Sequence, residues 1–95
     1  MWTIRYDVEW DEKKAAANLA KHGVAFDAIY RFDWETMIEE VDDREESGEL
    51  RYKAMGFVGE KLHVLIYTPR AEKIRIISLR KATKREERDY AKKKA

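Results

Sequence analysis

The sequence has no cysteine, a single proline and only four glycines. Without cysteine the chain can form neither a disulfide nor a thiolate metal site, which favours a reducing, cytoplasmic setting. There is no Gly-rich phosphate loop, no zinc-type spacing and no nucleophile elbow. The first residues alternate polar and apolar types, which is not typical of a signal peptide or a membrane span. We therefore expect no membrane partner, no metal and no cofactor.

The composition predicts one small, highly charged domain spanning residues 1–95. Charged residues make up 41% of the chain, against roughly 25% in an average domain, while a hydrophobic share of 44% still permits a core. The net charge of +1 hides an asymmetry: residues 33–49 hold nine acids and one arginine, and residues 80–95 hold eight Lys/Arg and three acids. These are either two solvated faces, or a basic end that attracts a polyanion and an acidic end that meets a basic partner.

The first third of the chain predicts a strand followed by two helices. Residues 1–10 alternate apolar and polar types and predict a half-buried strand. Asp11 is a good N-cap for an alanine-rich helix, and Gly23 is a natural residue to end it. Residues 24–32 predict a second, short helix, whose cap is weak because Ala25 stands where a serine or aspartate is preferred.

The remainder predicts four strands and a last helix, with an acidic loop at 42–48. The expected elements are strands at 36–41, 50–57, 61–68 and from Ile74 onward, and a helix over 83–92 capped by Thr83. The order β-α-α-β-β-β-β-α favours an α+β fold with an antiparallel sheet. We expect the two N-terminal helices to pack on one face, the other face to stay partly open, and the C-terminal helix to follow the sheet.

If the chain is an enzyme, its catalytic residues are expected to be arginine, lysine, histidine and tyrosine. These residues suit phosphoryl transfer at an RNA 2′-hydroxyl, because the substrate then supplies the nucleophile. The protein needs only a proton acceptor, a proton donor and cations for the charge of the transition state. The apolar strand that begins at Ile74 delivers Arg80 to its end, a position suited to holding a phosphate.

Several candidate residues have two interpretations. His22 follows Lys21 and continues the apolar face of the first helix, so it is either a half-buried histidine stabilised by the helix dipole or an acid–base group. Glu49 and Arg51 share a face, either as a surface ion pair or as an arginine that a carboxylate orients toward phosphate. Trp10 belongs either to the core or to a surface that stacks a base.

Tyr67, Arg70 and Arg80 come from strand ends and a turn. In an antiparallel meander Tyr67 and Arg80 lie near opposite ends of their strands unless the register is offset. Alternation also gives Arg80 the same face as Ile74 and Ile76. Either that apolar face ends in a cation, or a β-bulge intervenes.

Taken in order along the chain, these residues resemble the BrnT family of bacterial toxins. The matching segments are Glu9-Trp10-Asp11, Lys14, Asn18, Lys21-His22-Gly23-Val24 and Phe26, followed by Asp43-Arg44, Gly48-Glu49, Arg51, Tyr67-Thr68, Arg70, Arg75-Ile76-Ile77-Ser78, Arg80-Lys81-Ala82 and Glu87-Arg88. The departures from the pattern are at Ala25, Leu50, Leu79 and Asp33-Trp34-Glu35. They bear on a helix start and on dimer surfaces more than on the cations.

The resemblance implies a RelE-like fold and a ribonuclease toxin of a type II toxin–antitoxin system, acting in bacterial stress. It implies inhibition of translation, a BrnA-like ribbon-helix-helix antitoxin, and operator DNA bound only through the toxin–antitoxin complex. By position, the implied catalytic residues are Lys21, His22, Arg51, Arg70 and Arg80, and the implied RNA-binding residues are Glu49, Tyr67 and Lys81, to which Trp10 is added as a stacking candidate. The alternative is a non-catalytic module that binds nucleic acid or a partner through its basic C-terminal helix.

Overall fold

A five-stranded β-sheet forms the centre of the fold. A computed structural model describes residues 7–42 and 48–95. Its strands are β1 (Asp7–Glu9), β2 (Ile38–Val41), β3 (Tyr52–Val58), β4 (Lys61–Arg70) and β5 (Lys73–Lys81). They lie in the order β1-β5-β4-β3-β2. The start of the predicted first strand and most of the predicted acidic loop lie outside the described residues.

The sheet is mixed, because its first strand runs parallel to its last. Strands β2 to β5 pair antiparallel in succession, and β3 to β5 form the predicted meander. Strand β1 instead pairs in parallel with β5, with Val8 opposite Ile74. The prediction of a wholly antiparallel sheet is therefore wrong at this pairing. Apolar alternation identifies β1 as a strand but does not specify its neighbour or its direction, which depend on the path of the whole chain.

The first helix, α1 (Glu12–His22), begins and ends at the predicted residues. The Asp11 carboxylate accepts hydrogen bonds from the backbone N–H groups of Lys13 at 2.7 Å and Lys14 at 3.3 Å. Gly23 adopts a φ of +73° and its N–H donates to the Leu19 carbonyl at 2.8 Å. Both ends thus satisfy backbone groups that would otherwise lack partners.

The second predicted helix is a 3₁₀ helix, Phe26–Arg31. Ala25 provides no side-chain hydrogen bond at its start, as its residue type predicts. The segment is held by burial of Phe26 and Ile29 rather than by a cap. It is shorter and more tightly wound than the predicted helix.

Two apolar clusters occupy opposite faces of the sheet. On the face covered by α1 and the 3₁₀ helix, here called the α1 face, the core includes Phe26, Leu65, Ile76 and Leu79. The C-terminal helix, α2 (Lys84–Lys94), lies over the other face. There, on the α2 face, the core consists of Met55, Leu62, Val64, Ile66 and Tyr90.

Helix α2 covers part of the face that the sequence predicted to stay partly open. Tyr90 is its one buried residue, and the ring meets Phe57 edge-on at 5.5 Å between centroids. The Tyr90 hydroxyl donates to the Thr36 carbonyl at 2.7 Å. The helix begins with the capping box that Thr83 and Glu86 form. Within the described residues, no helix has the length and apolar character needed to cross a membrane.

A β-bulge in β5 decides which face Arg80 occupies. Ile66 pairs with Ser78, while the next residue, Tyr67, pairs with Ile76, so Ile77 is the extra residue. The bulge lets Ile76 point into the α1 face and shifts Arg80 to the α2 face. Of the two alternatives left open by the sequence, the bulge is the correct one.

Candidate nucleic-acid interface

Arg51 and Arg70 meet at one carboxylate. An Nη2 atom of Arg70 donates to Glu49 Oε1 at 2.8 Å, and Nη2 of Arg51 lies 3.8 Å from Glu49 Oε2. The sequence-predicted Glu49–Arg51 ion pair is therefore present, and it includes Arg70. The buried Thr68 hydroxyl donates to the Leu50 carbonyl and ties this segment to β4.

Arg80 belongs to a second group, which is centred on Glu86. The guanidinium donates to both carboxylate oxygens, at 2.8 and 2.9 Å. The ammonium group of Lys53 lies 3.3 Å from the same carboxylate. The hydrogen bonds from Arg80 lower the pKa of Glu86 to about 2, helped by the Thr83 backbone and Lys53 and opposed by partial burial.

The two groups share the α2 face. Arg51 and Lys53 are alternate residues leading into β3, so both project on the side of Met55. Arg70 and Arg80 reach that side from β4 and β5. The three predicted arginines are therefore on one face, but in two ion-paired groups rather than in a single pocket. Lys53 contacts Glu86 in the second group and follows Arg51 of the first group by two residues on the same side of the strand.

Lys21 and His22 lie at the end of α1, in a groove between that helix and β5. The groove has a volume of about 240 Å³, and Lys14, Asn18 and Ser78 contribute to its walls. His22 is half-buried, as its place on the helix predicts. These two residues approach β5 from the α1 side, whereas Arg80 leaves it on the α2 side.

Asn18 fixes the position of this helix against β5. Its Nδ2 donates to the carbonyl oxygens of Leu79 at 2.7 Å and Val24 at 2.9 Å. Its Oδ1 accepts from the Leu79 backbone N–H at 3.2 Å. The side chain is buried, so these bonds are made away from water and leave its amide well satisfied.

Tyr67 and Trp10 lie on the other side of the sheet from the arginines, whereas Lys81 adjoins Arg80, whose guanidinium donates to the Lys81 carbonyl oxygen at 3.3 Å. Tyr67 is buried on the α1 face, where its hydroxyl donates to Glu39 and its ring packs near Trp34. Trp10 meets the Phe26 ring edge-on at 6.0 Å, also on the α1 side. Lys81 is exposed at the end of β5. Tyr67 is therefore on the opposite face of the sheet from Arg70 and Arg80.

Sequence reasoning missed Lys53, Glu86 and the role of Asn18. Two signals were available: Lys53 follows Arg51 by two residues on a strand, and Glu86 follows Thr83 at capping-box spacing. Nothing local predicts that Glu86 also binds Arg80. Among residues 7–42 and 48–95, no three His, Asp or Glu side chains are grouped so that they could hold a metal ion.

The fold and its charges define a small α+β protein with a mixed sheet, one face of which carries several cations. This class of protein matches a known family. The family model described as "Ribonuclease toxin, BrnT, of type II toxin-antitoxin system" matches residues 10–86. The chain belongs to this BrnT family, as its sequence resemblance predicted.

A solved structure supports the same assignment. The 1.1 Å crystal structure of the Brucella abortus ribonuclease toxin BrnT superposes with a TM-score of 0.63 at 26% sequence identity, covering 84% of this chain and 100% of that chain. No curated protein matches the sequence. The α+β architecture is therefore shared with a BrnT toxin.

Proposed function

We propose that this protein is an endoribonuclease toxin that cleaves RNA without a metal ion and so inhibits translation in the cytoplasm. The observation that carries the proposal is the placement of Arg51, Arg70 and Arg80 on one sheet face of a chain in a ribonuclease toxin family. RNA lies across the part of the α2 face that Tyr90 and its helix leave uncovered. A RelE-like fold is part of the same proposal.

The proposed reaction uses the RNA 2′-hydroxyl as the nucleophile. That oxygen attacks the adjacent phosphorus while its proton passes to a base, and the bond from phosphorus to the 5′-oxygen breaks. The leaving oxygen takes up a proton, so the products are a 2′,3′-cyclic phosphate and a 5′-hydroxyl. His22 or Lys21 moves protons in this scheme from the edge of β5, and the arginines offset the added negative charge. Tyr67, the other sequence candidate, is buried on the α1 face with its hydroxyl bonded to Glu39, so it is not part of this scheme.

The carboxylates that bind the arginines position them before RNA binds. Glu49 and Glu86 keep the guanidinium groups in position before RNA arrives. A phosphate can accept these hydrogen bonds instead, because two of its oxygens can accept from the two parallel N–H groups of a guanidinium, as a carboxylate does. The exchange replaces one anion by another, so the arginines are never left uncompensated.

The proposed partner is a BrnA-like antitoxin that carries a ribbon-helix-helix domain. Membership of a type II toxin family supports a protein antitoxin. In this proposal the antitoxin neutralises the toxin, and only the complex of the two binds operator DNA.

A second candidate function is binding without cleavage. It is favoured by the ion pairs, since Arg80 and Arg70 are each already held by a carboxylate. The exposed cations of α2, among them Lys84, Arg85 and Arg88, would then bind RNA phosphates. This function predicts strongly salt-dependent RNA binding with no turnover.

Cleavage of RNA in EDTA tests the proposal. The wild-type protein and Arg31→Ala, which removes an exposed arginine on the α1 side, should cleave RNA and leave cyclic phosphate ends. Arg80→Ala should lose at least tenfold in rate, because a donor pair to the transition state is worth more than 1.4 kcal/mol. Wild-type activity no greater than that of Arg80→Ala contradicts the proposal and favours binding alone. A growth assay tests the proposed antitoxin. Expression of this protein should arrest growth, and co-expression of the neighbouring gene should relieve the arrest.

A further inference from the structure

The groove between α1 and β5 differs in charge from the arginine groups. Lys14, Lys21 and His22 all line it, and none of the described residues that line it carries a carboxylate. The residues of α1 that reach it are spaced by three, four and seven positions, which places them on one side of the helix. The groove therefore gathers two ammonium groups and an imidazole along a single wall.

Lys14 and Lys21 have no acidic partner in the part of the chain that the structure describes. Arg70, Arg75 and Arg80 each form a salt bridge of 2.8 Å or less with a carboxylate. Lys14 and Lys21 form none with any residue of 7–42 or 48–95. Their charge is left to the solvent, so a bound anion gains their attraction without displacing a carboxylate.

The walls of the groove are held at a fixed separation. Asn18, between the two lysines on α1, is bonded to both backbone groups of Leu79 on the opposite wall. The Ser78 hydroxyl donates to Asn18 Oδ1 over a long 3.5 Å and can rotate to donate to a ligand on the β5 side instead. A ligand in the groove thus meets groups that are already in place, which lowers the entropy lost on binding.

We propose that this groove binds a backbone phosphate of RNA, with Lys14 and Ser78 as binding residues beside Lys21 and His22. The inference rests on the proposed function and extends its site from the α2 face around the edge of β5. Ser78 and Arg80 are two residues apart, about 6.6 Å along a strand. One RNA chain can therefore contact the groove with one phosphate and Arg80 with another.

The position of Ile77 favours a nucleic-acid strand over a small free anion. Ile77 lines the groove and also packs against the α2-face cluster. It provides an apolar surface where a ribose or a base can lie between the two cationic regions. Inorganic phosphate has no sugar or base to pack against Ile77, so it should bind the groove more weakly than RNA does.

Binding of an uncleavable RNA tests the groove separately from catalysis. The probe is a short, fluorescently labelled single-stranded RNA with 2′-O-methyl groups, which lacks the nucleophile. Lys14→Gln should weaken its binding roughly tenfold and reduce the slope of log K against log salt by about 0.7, the value for one phosphate contact on a single strand. Ser78→Ala should weaken binding about threefold with no change in slope, since it removes a neutral donor.

Lys13→Gln is the matched control, because Lys13 is the exposed neighbour on α1 and does not line the groove. It makes the same change in net charge and should leave affinity within about twofold. Equal effects of the two lysine variants would overturn the inference, as would inorganic phosphate competing at concentrations equal to those of the RNA. Cleavage of unmodified RNA is measured in parallel. If RNA is cleaved but Lys14→Gln binds as tightly as the wild type, only the proposed phosphate site in the groove is contradicted. If Lys14→Gln weakens binding but RNA is not cleaved, only the proposed ribonuclease activity is contradicted.

Discussion

The Glu86 carboxylate accepts two hydrogen bonds from the Arg80 guanidinium, at 2.8 and 2.9 Å. The same carboxylate accepts from the Thr83 backbone N–H at 2.9 Å and lies 3.3 Å from the Lys53 ammonium group. One side chain thus joins β5, β3 and the first turn of α2. It is therefore both a cap of the helix and the partner of a predicted catalytic arginine.

This arrangement predicts a loss of stability in acid. The folded pKa of Glu86, about 2, lies below its ordinary value of 4.5. The stabilisation is therefore complete above about pH 4.5 and is lost as the pH falls toward 2. Glu86→Gln should reduce the free energy of unfolding by roughly 1–3 kcal/mol at pH 7. The measurement is urea unfolding at pH 7 and at about pH 3, where the difference from wild type should shrink.

Glu87→Gln is the control for this prediction. Glu87 is the next residue of α2, and its ion pair among the described residues is an exposed one with Lys84 at 3.7 Å. Its replacement should change the free energy of unfolding by at most about 0.5 kcal/mol at either pH. A Glu86→Gln difference that stays constant between the two pH values would show that its ionised form is not what stabilises the fold.

Tyr90 should control how firmly α2 lies on the sheet. Tyr90→Phe removes only the hydrogen bond to the Thr36 carbonyl and should cost about 1 kcal/mol in the free energy of unfolding. Tyr90→Ala also removes the ring against Phe57 and should cost roughly 3–5 kcal/mol. Amide hydrogen exchange over residues 84–94 measures the effect locally, and it should accelerate most in Tyr90→Ala.

The neighbouring Asp89→Asn provides the comparison, because Asp89 is exposed on the same helix. Its exchange rates should match those of the wild type. Unchanged protection of α2 in Tyr90→Ala would mean that the capping box and the Arg80–Glu86 pair suffice to hold the helix.

The sequence predicted features that depend on neighbouring residues. Asp11 and Gly23 bound α1 because capping depends on a few adjacent positions, and the weak cap at Ala25 precedes a 3₁₀ helix for the same reason. Alternation also placed Glu49 and Arg51 together. Such features are local, so a pattern of a few residues is enough to specify them.

Features that depend on tertiary packing were not predicted. The parallel pairing of β1, the face covered by α2 and the carboxylate partner of Arg80 all involve distant segments. The bulge at Ile77 could be stated only as one of two alternatives, since parity alone does not reveal an extra residue. The division of the predicted cations between two faces follows from these same long-range choices.

Asn18 should stabilise the fold more than any exposed residue of α1. Asn18→Ala leaves the Leu79 backbone groups and the Val24 carbonyl without their partner in a buried setting. We expect a loss of roughly 2–4 kcal/mol in the free energy of unfolding. Asn18→Asp keeps the shape but places an oxygen against two carbonyl oxygens, so it should be at least as destabilising at pH 7.

Chemical denaturation measures both variants, with Leu19→Ala as the control. Leu19 is half exposed on the same helix, so its truncation should cost less than about 1 kcal/mol. If Asn18→Asp were as stable as the wild type, the amide donors would not be what joins α1 to β5.

Glu49 should weaken RNA binding, because its carboxylate lies against two arginines of the proposed interface. Glu49→Gln removes that negative charge while keeping the side-chain shape. We expect the 2′-O-methyl RNA to bind about two- to fivefold more tightly, with a steeper dependence on salt.

Glu60→Gln makes the same change in net charge at the exposed β3–β4 turn and should alter affinity far less. Anisotropy titrations at several salt concentrations compare the two. Weaker binding by Glu49→Gln would mean that positioning of the arginines by this carboxylate outweighs its competition with phosphate. Equal tightening by both variants would argue against the α2 face as the RNA surface.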